Sequence, residues 1–231
     1  MDRNRGGLPS PLALLPGTLL TDESWLSERV DQIGRESGCV ERRTNATLWW
    51  YSASVVLLGP AVHEMVATGT GVSLSPSAVR FTTRASGYLE RVIAGAQLDP
   101  GPVALGRHLD DVLDLVIEPL ARVGGATQRS LWAIAVDSLA TRVLAETAVA
   151  PGGTDRAPQL ATAVAEAAPR LRPLPRYLDV PGRPGSPDRR YVQRGSCCLL
   201  FRVPAGLCIS CPKQTPADRL TRLQQHARST G

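Results

Sequence analysis

Cys197, Cys198, Cys208 and Cys211 fall within fifteen residues, in the spacing Cys-Cys-x9-Cys-x2-Cys. Four thiolates so close together can hold a metal centre, and no other group of residues carries comparable chemistry. A structural zinc site ordinarily uses two short Cys-x-x-Cys knuckles, and only Cys208 and Cys211 supply one. Cys197 and Cys198 are adjacent, and neighbouring side chains of an extended segment point in opposite directions. Gathering both on one tetrahedral ion demands a distorted backbone. A 2Fe-2S cluster relaxes that demand, because it has two irons and its ligand spacings vary widely. A third reading takes two of the four as ordinary buried cysteines, since free Cys is among the most buried residue types. Spacing alone leaves all three standing. The fifth cysteine, Cys39, reads as a buried free thiol, and the odd count argues against a secreted disulfide framework.

Charge singles out the same region. The chain carries a net +5, with residues 1–167 at −4 and residues 168–231 at +9. The basic segment is the one that holds the cysteines. Such a field attracts an acidic protein, an anionic ligand or nucleic acid, or is simply a solvated arginine-rich surface. Aromatic residues are only 4% of the chain and no helix-turn-helix pattern is evident, which argues against nucleic acid. No Gly-x-Gly-x-x-Gly fingerprint or P-loop occurs; Gly69-x-Gly71 lacks the third glycine and the following helix.

Other candidates have blander explanations. His63-Glu64 closes an apolar run and reads as a boundary pair. His108 with Asp110, Asp111 and Asp114 reads as a solvated helix face, and His226 as part of a fraying end. Trp49, Trp50 and Trp132 read as core.

The elements that must position these residues are mostly helical. Thr21 reads as the cap of a helix whose apolar stripe is Trp25, Leu26, Val30 and Ile33, stopped by Gly38. A second helix is expected from about Thr44 to Ala67, apolar on all sides and kinked or divided by Pro60. Short β-like pieces at 72–74, 79–83 and 88–93 predict one small antiparallel sheet, with Asp99-Pro100-Gly101-Pro102 as a turn. Helical spacing returns through Leu105–Leu120, then Leu131–Leu144, then 158–168. The Pro/Gly-rich stretch 169–187 reads as an extended connector. Strands are expected at 191–193 and 198–203, and a final helix starts at Thr215-Pro216-Ala217-Asp218.

The fold class is therefore α+β, predominantly helical, with a small antiparallel sheet and a C-terminal cysteine-rich segment. The expected organisation is a mainly helical domain (1–168), a connector (169–187) and a cysteine-bearing segment with the terminal helix (188–231). The longest apolar run, Leu48 to Val62, is fifteen residues, short of the ~20 that span a bilayer, and is broken by Ser52, Ser54, Gly59 and Pro60. The apolar stretch from Pro11 to Leu20 is interrupted by Pro16 and has no small-x-small site before Thr21, so no secretory signal is read there. The expected compartment is the reducing cytoplasm.

The flanks of the cysteines sharpen the choice among metals. Arg194-Gly195-Ser196-Cys197-Cys198-Leu199-Leu200-Phe201-Arg202-Val203-Pro204, followed by Gly206-Leu207-Cys208-Ile209-Ser210-Cys211-Pro212, resembles the C-terminal signature of FhuF-type ferric-siderophore reductases. The resemblance implies that Cys197, Cys198, Cys208 and Cys211 ligate a 2Fe-2S cluster. It implies one-electron reduction of a ferric siderophore, with electrons from an external donor such as a ferredoxin, flavodoxin or flavin reductase. Arg190, Arg194 and Arg202 would then tune the cluster or dock a partner. The interval between the second and third cysteines is one residue shorter than in the family, at the turn Pro204-Ala205-Gly206. The rival readings are a zinc-stapled basic binding module, and an iron–sulfur sensor or electron carrier with no substrate site.

Overall fold

The computed structural model describes residues 13–229. The start of the apolar stretch read from Pro11, Pro11 and Leu12, lies outside the described residues. Strand β1 (Leu15–Pro16) leads into a 3-10 turn, Gly17–Thr21, which the Thr21 hydroxyl closes by donating to the Thr18 carbonyl at 2.9 Å. Helix α1 (Glu23–Ser37) is therefore capped by Asp22, not Thr21: the Asp22 carboxylate accepts from the Trp25 N–H at 2.7 Å. Gly38, left-handed at φ 66°, stops α1 as the spacing predicts.

Helix α2 (Arg42–Thr68) runs unbroken through Pro60. A mid-helix proline removes a backbone hydrogen bond. Here α2 is held in helical form by burial on all sides, packed against α1 and two later helices. Trp49 and Trp50 on α2 are fully buried, and their indole N–H groups donate to the carbonyls of Gly87 (3.2 Å) and Leu131 (2.8 Å).

The expected single sheet is two. Strand β2 (Thr70–Val72) does not join β3 (Arg80–Thr83) and β4 (Leu89–Ile93); those pair with each other and with β1 in the antiparallel order β1-β3-β4. β2 pairs instead with β5 (Gln97–Pro100), in the segment read as a turn. Pro100 lies at the strand's end, where its missing N–H costs little.

Helices α3 (Pro102–Gly124), α4 (Gln128–Ala148) and α5 (Ala157–Glu166) complete the main layer around α2. One large apolar core joins them to the three-stranded sheet.

The Pro/Gly-rich stretch contains a strand. β6 (Tyr177–Val180), the longest proline-free run there, pairs with β7 (Arg189–Val192) in an antiparallel hairpin, Tyr177 opposite Val192 and Val180 opposite Arg189. The strand expected over 198–203 is absent. Leu199 is left-handed at φ 60° and a 3-10 turn, Leu200–Arg202, follows it; a left-handed residue cannot continue a strand. Helix α6 (Pro216–Ser229) starts as its sequence predicts, the Thr215 hydroxyl accepting from the Asp218 N–H at 3.1 Å. It packs a second, small core of Val180, Leu223 and Ala227 with Leu178, Tyr191 and Ile209. Among the described residues no helix is long and apolar enough to cross a membrane.

The approach of α5 to α3 rests on a glycine. A Cβ on Gly106 of α3 would lie 2.2 Å from the Val164 carbonyl oxygen of α5. An exposed mid-helix Gly→Ala change stabilises by ~0.5–1 kcal/mol. Gly106→Ala is expected to do the reverse, costing about 1–3 kcal/mol through overpacking. Urea unfolding of the two proteins under identical loading checks the sign.

Candidate metal centre

The cysteine loop hangs between the two cores. Leu200 and Val203 pack on the large core, and Ile209 packs on the small one. Two polar tethers fix the loop, at its start and its middle. Arg202 forms an ion pair with Glu41, the residue preceding α2. Upstream, the carboxylate of Asp137 on α4 takes three donors from the loop: the Gly195 N–H at 3.0 Å, the Ser196 N–H at 3.0 Å and the Ser196 hydroxyl.

Arg194 completes this anchor. It is only 6% exposed. Its Nε lies 3.4 Å from Asp137 Oδ2, its guanidinium sits 4.4 Å over the Tyr51 ring of α2, and its Nη1 donates to Cys208 Sγ at 3.6 Å. A buried guanidinium requires such partners, since unpaired charge is costly in low dielectric. Burial disfavours the Arg194 cation, but Tyr51, Asp137 and the nearby thiolates outweigh it and hold the group charged. Burial pushes the Tyr51 phenol up, keeping it neutral.

The sulfurs share this environment. All five cysteines are free thiols; Cys198 and Cys211 are buried, while Cys197 and Cys208 are partly exposed. The left-handed turn at Leu199 aims two successive backbone N–H groups at the adjacent cysteines, Leu199 toward Cys197 and Leu200 toward Cys198. Consecutive N–H groups in such a nest are a recurrent anion cradle, used at iron–sulfur sites. The hydrogen bond from the Cys208 thiol, helped by the Leu200 N–H and Arg194, pushes the Cys198 thiol down, and Cys208, keeping that proton, is pushed up. Burial pushes Cys197 up. Cys211 is placed by its N–H donating to the Cys208 carbonyl at 3.1 Å, which also accepts from Gln214 Nε2 at 2.8 Å.

Among the described residues no three His, Cys, Asp or Glu groups converge closely enough for one metal ion. The Cys198 and Cys208 thiols are hydrogen-bonded to each other, and both Cys198 and Cys211 stand close enough to act on Cys197. Four clustered thiols are a donor set that a 2Fe-2S cluster can use.

The other sequence candidates take structural roles. Arg190 is engaged in the hairpin, bidentate to Asp179 at 2.7 and 2.7 Å and 3.1 Å from Asp155. His63 meets Glu146 at 2.9 Å on the surface. His226 bonds the Tyr191 hydroxyl at 2.9 Å and packs edge-on against its ring, so that end of α6 is held. Asp110 and Asp114 are not a free acidic face, because both lie within 3.5 Å of Arg170. Trp49, Trp50 and Trp132 are buried. Cys39 is half-buried, not buried, because its segment lies in the short loop between α1 and α2.

Sequence reasoning missed Asp137 and Tyr51. Asp137 had a signal: it is a lone carboxylate in the apolar run Ile134-Ala135-Val136-Asp137-Ser138-Leu139, and a charge there needs a buried partner. Tyr51 had none, because an aromatic in an apolar helix looks like core.

Residues 194–213 match the family model described as the FhuF 2Fe-2S C-terminal domain. The matched segment holds all four clustered cysteines, Arg194 and Ser196, and its cofactor is a 2Fe-2S cluster. A comparison of the chain with curated proteins finds no match.

Two substitutions probe this arrangement. An Asn at 137 has one acceptor oxygen where the carboxylate serves three donors, and it leaves Arg194 a buried unpaired cation. Asp137→Asn is expected to cost about 3–5 kcal/mol, read by urea unfolding together with iron retained per chain. His108 is partly buried and its Nε2 accepts from the Leu74 N–H at 2.8 Å, while burial holds its pKa below the usual histidine value. The fold thus favours neutral His108: this contribution is complete above ~6.5, the unfolded value, and is lost as pH falls below it. Unfolding free energy should drop between pH 7.5 and 5.5 by no more than about 1.4 kcal/mol per pH unit on this account. The His108→Gln protein should show a shallower slope in parallel titrations.

Proposed function

We propose that this protein reduces a ferric siderophore by one electron, releasing Fe(II), with electrons drawn from an external donor. The observation that carries this reading is the loop 194–213: four clustered thiols, an N–H nest behind Cys197 and Cys198, and a buried arginine on Cys208, within a segment that matches a 2Fe-2S domain.

Bound in that loop, a 2Fe-2S cluster passes one electron at a time. Fe(III) reduction takes one electron, and hard siderophore oxygens hold Fe(II) more weakly, so the stoichiometry and the release agree. The chain's own residues set the conditions. Cys197, Cys198, Cys208 and Cys211 supply the thiolates. Arg194 is a fixed positive charge that donates to Cys208 Sγ, and a donor to sulfur favours the more negative, reduced state. Asp137 keeps Arg194 and the loop backbone in place. Burial of Cys198 and Cys211 keeps water from half of the sulfurs, while partly exposed Cys197 and Cys208 leave an outward path for electrons.

No dinucleotide fingerprint occurs in the chain, so a nicotinamide cofactor is not the expected immediate donor. A ferredoxin, a flavodoxin or a flavin reductase suits a one-electron acceptor. The expected site of action is the cytoplasm.

Protein reconstituted without oxygen should be reddish, with two irons and two sulfides per chain as the 2Fe-2S formula requires. Once reduced by dithionite and desalted, it should be reoxidised by ferric siderophore, with Fe(II) trapped by a chelator in equal amount. A colourless protein holding one zinc would defeat the reading outright. Cluster present but inert toward every ferric complex would leave an electron carrier or sensor.

A further inference from the structure

A second cavity, of about 670 Å³, opens against the cysteine loop. That lies within the ~300–1,000 Å³ range of small-molecule sites. Its walls are the start of α4 (Gln128, Arg129, Trp132), the connector after α5 (Arg170, Arg172, Pro173) and Gly195 of the loop itself. Gly195 precedes Cys197 by two residues, so this wall is within about 7 Å of the Cys197 backbone. Having no side chain, Gly195 leaves the loop backbone open to the cleft; a Cβ there would stand 3.2 Å from Pro173.

The lining contains three arginines and no acidic residue. Their charges are unequally met. Arg170 is neutralised by Asp110 and Asp114 and lies 5.8 Å over Trp132. Arg172 donates through Nη1 to the carbonyls of Ala165, Ala168 and Leu171 at 2.8, 3.2 and 2.9 Å, which fixes the guanidinium without cancelling its charge. Among the described residues, neither Arg172 nor Arg129 has a carboxylate within ion-pair distance. Arg129 also stands in the first turn of α4, where the helix dipole disfavours a cation. Helix stability therefore does not explain it.

We infer that this cleft binds the ferric complex, and that it selects complexes of net negative charge. The inference rests on the proposed reductase reading for the ligand being a ferric chelate; the charge preference comes from the cleft. Arg129 and Arg172 supply uncompensated positive charge, Trp132 with Arg170 stacked on it a flat wall, and Gly195 the short route to Cys197. The neighbouring cavity between Tyr51, Tyr191 and Ile209 is smaller, about 260 Å³, and its one arginine, Arg194, is already met by Asp137, so it offers an anion no uncompensated charge.

The test uses reconstituted protein and redox-inert gallium(III) complexes, so that binding is read apart from turnover. The probes are the trianionic gallium tris-catecholate and a neutral gallium trihydroxamate, followed by calorimetry at low and high salt. The tris-catecholate should bind at least about tenfold more tightly, with the advantage shrinking in high salt as screening predicts. The double variant Arg129→Glu/Arg172→Glu should lose that preference while its cluster midpoint potential stays put. If it loads poorly, Arg129→Gln alone, at an exposed position, should still narrow the preference several-fold. Equal affinity of the wild-type protein for the two probes, or a preference unchanged in the variants, overturns the inference. Ferric complexes reduced without regard to charge would sink the cleft and leave the reductase reading intact. Charge-selective gallium binding with no ferric reduction would do the opposite.

Discussion

The buried pairing of Asp137 with Arg194 is the contact on which the rest of the site depends. It joins α4 to the cysteine loop, and through Tyr51 it also engages α2. Two charges leave water to make it, so the pair is weak evidence for net stability. Its consequence is positional. The Asp137 carboxylate is shared among Arg194, Gly195 and Ser196, and only one loop conformation satisfies all of them. That conformation delivers Cys197 and Cys198 to the N–H nest, and the guanidinium to Cys208.

Around this anchor the fold divides its labour. The helical layer, built on α2 with its buried tryptophans, is a rigid wall. The β6–β7 hairpin and α6 form a smaller body with its own core. The loop bridges them, so both sides of it are held by apolar packing and its start and middle by ion pairs. A one-electron centre benefits from such a setting, because a loop that does not rearrange between oxidation states adds little reorganisation to the transfer.

Much of the fold was legible because it is local. The glycine stop of α1, the cap of α6 and the apolar middle of α2 all follow from neighbouring residues. The failures are where partners lie far off in sequence. β2 chose β5 over β3, and no periodicity reveals a partner. The 198–203 segment has strand-like composition, yet Leu199 is left-handed and its side chain type gives no sign of it. Asp22 displaced Thr21 as the cap because Thr21 was already committed to its own turn.

The sequence by itself determined the four sulfurs, their adjacency, the basic field around them and the helical class, since these depend on residue type and near-neighbour spacing. Tertiary structure alone decided which arginine reaches the sulfurs and which arginines stay uncompensated. Arg190, Arg194 and Arg202 look alike in the chain. Their differences arise because Asp179, Asp137 and Glu41 reach them from separate elements. Whether a charge is spent on a carboxylate or left for a sulfur or a ligand is a matter of distance, and distance is set by packing.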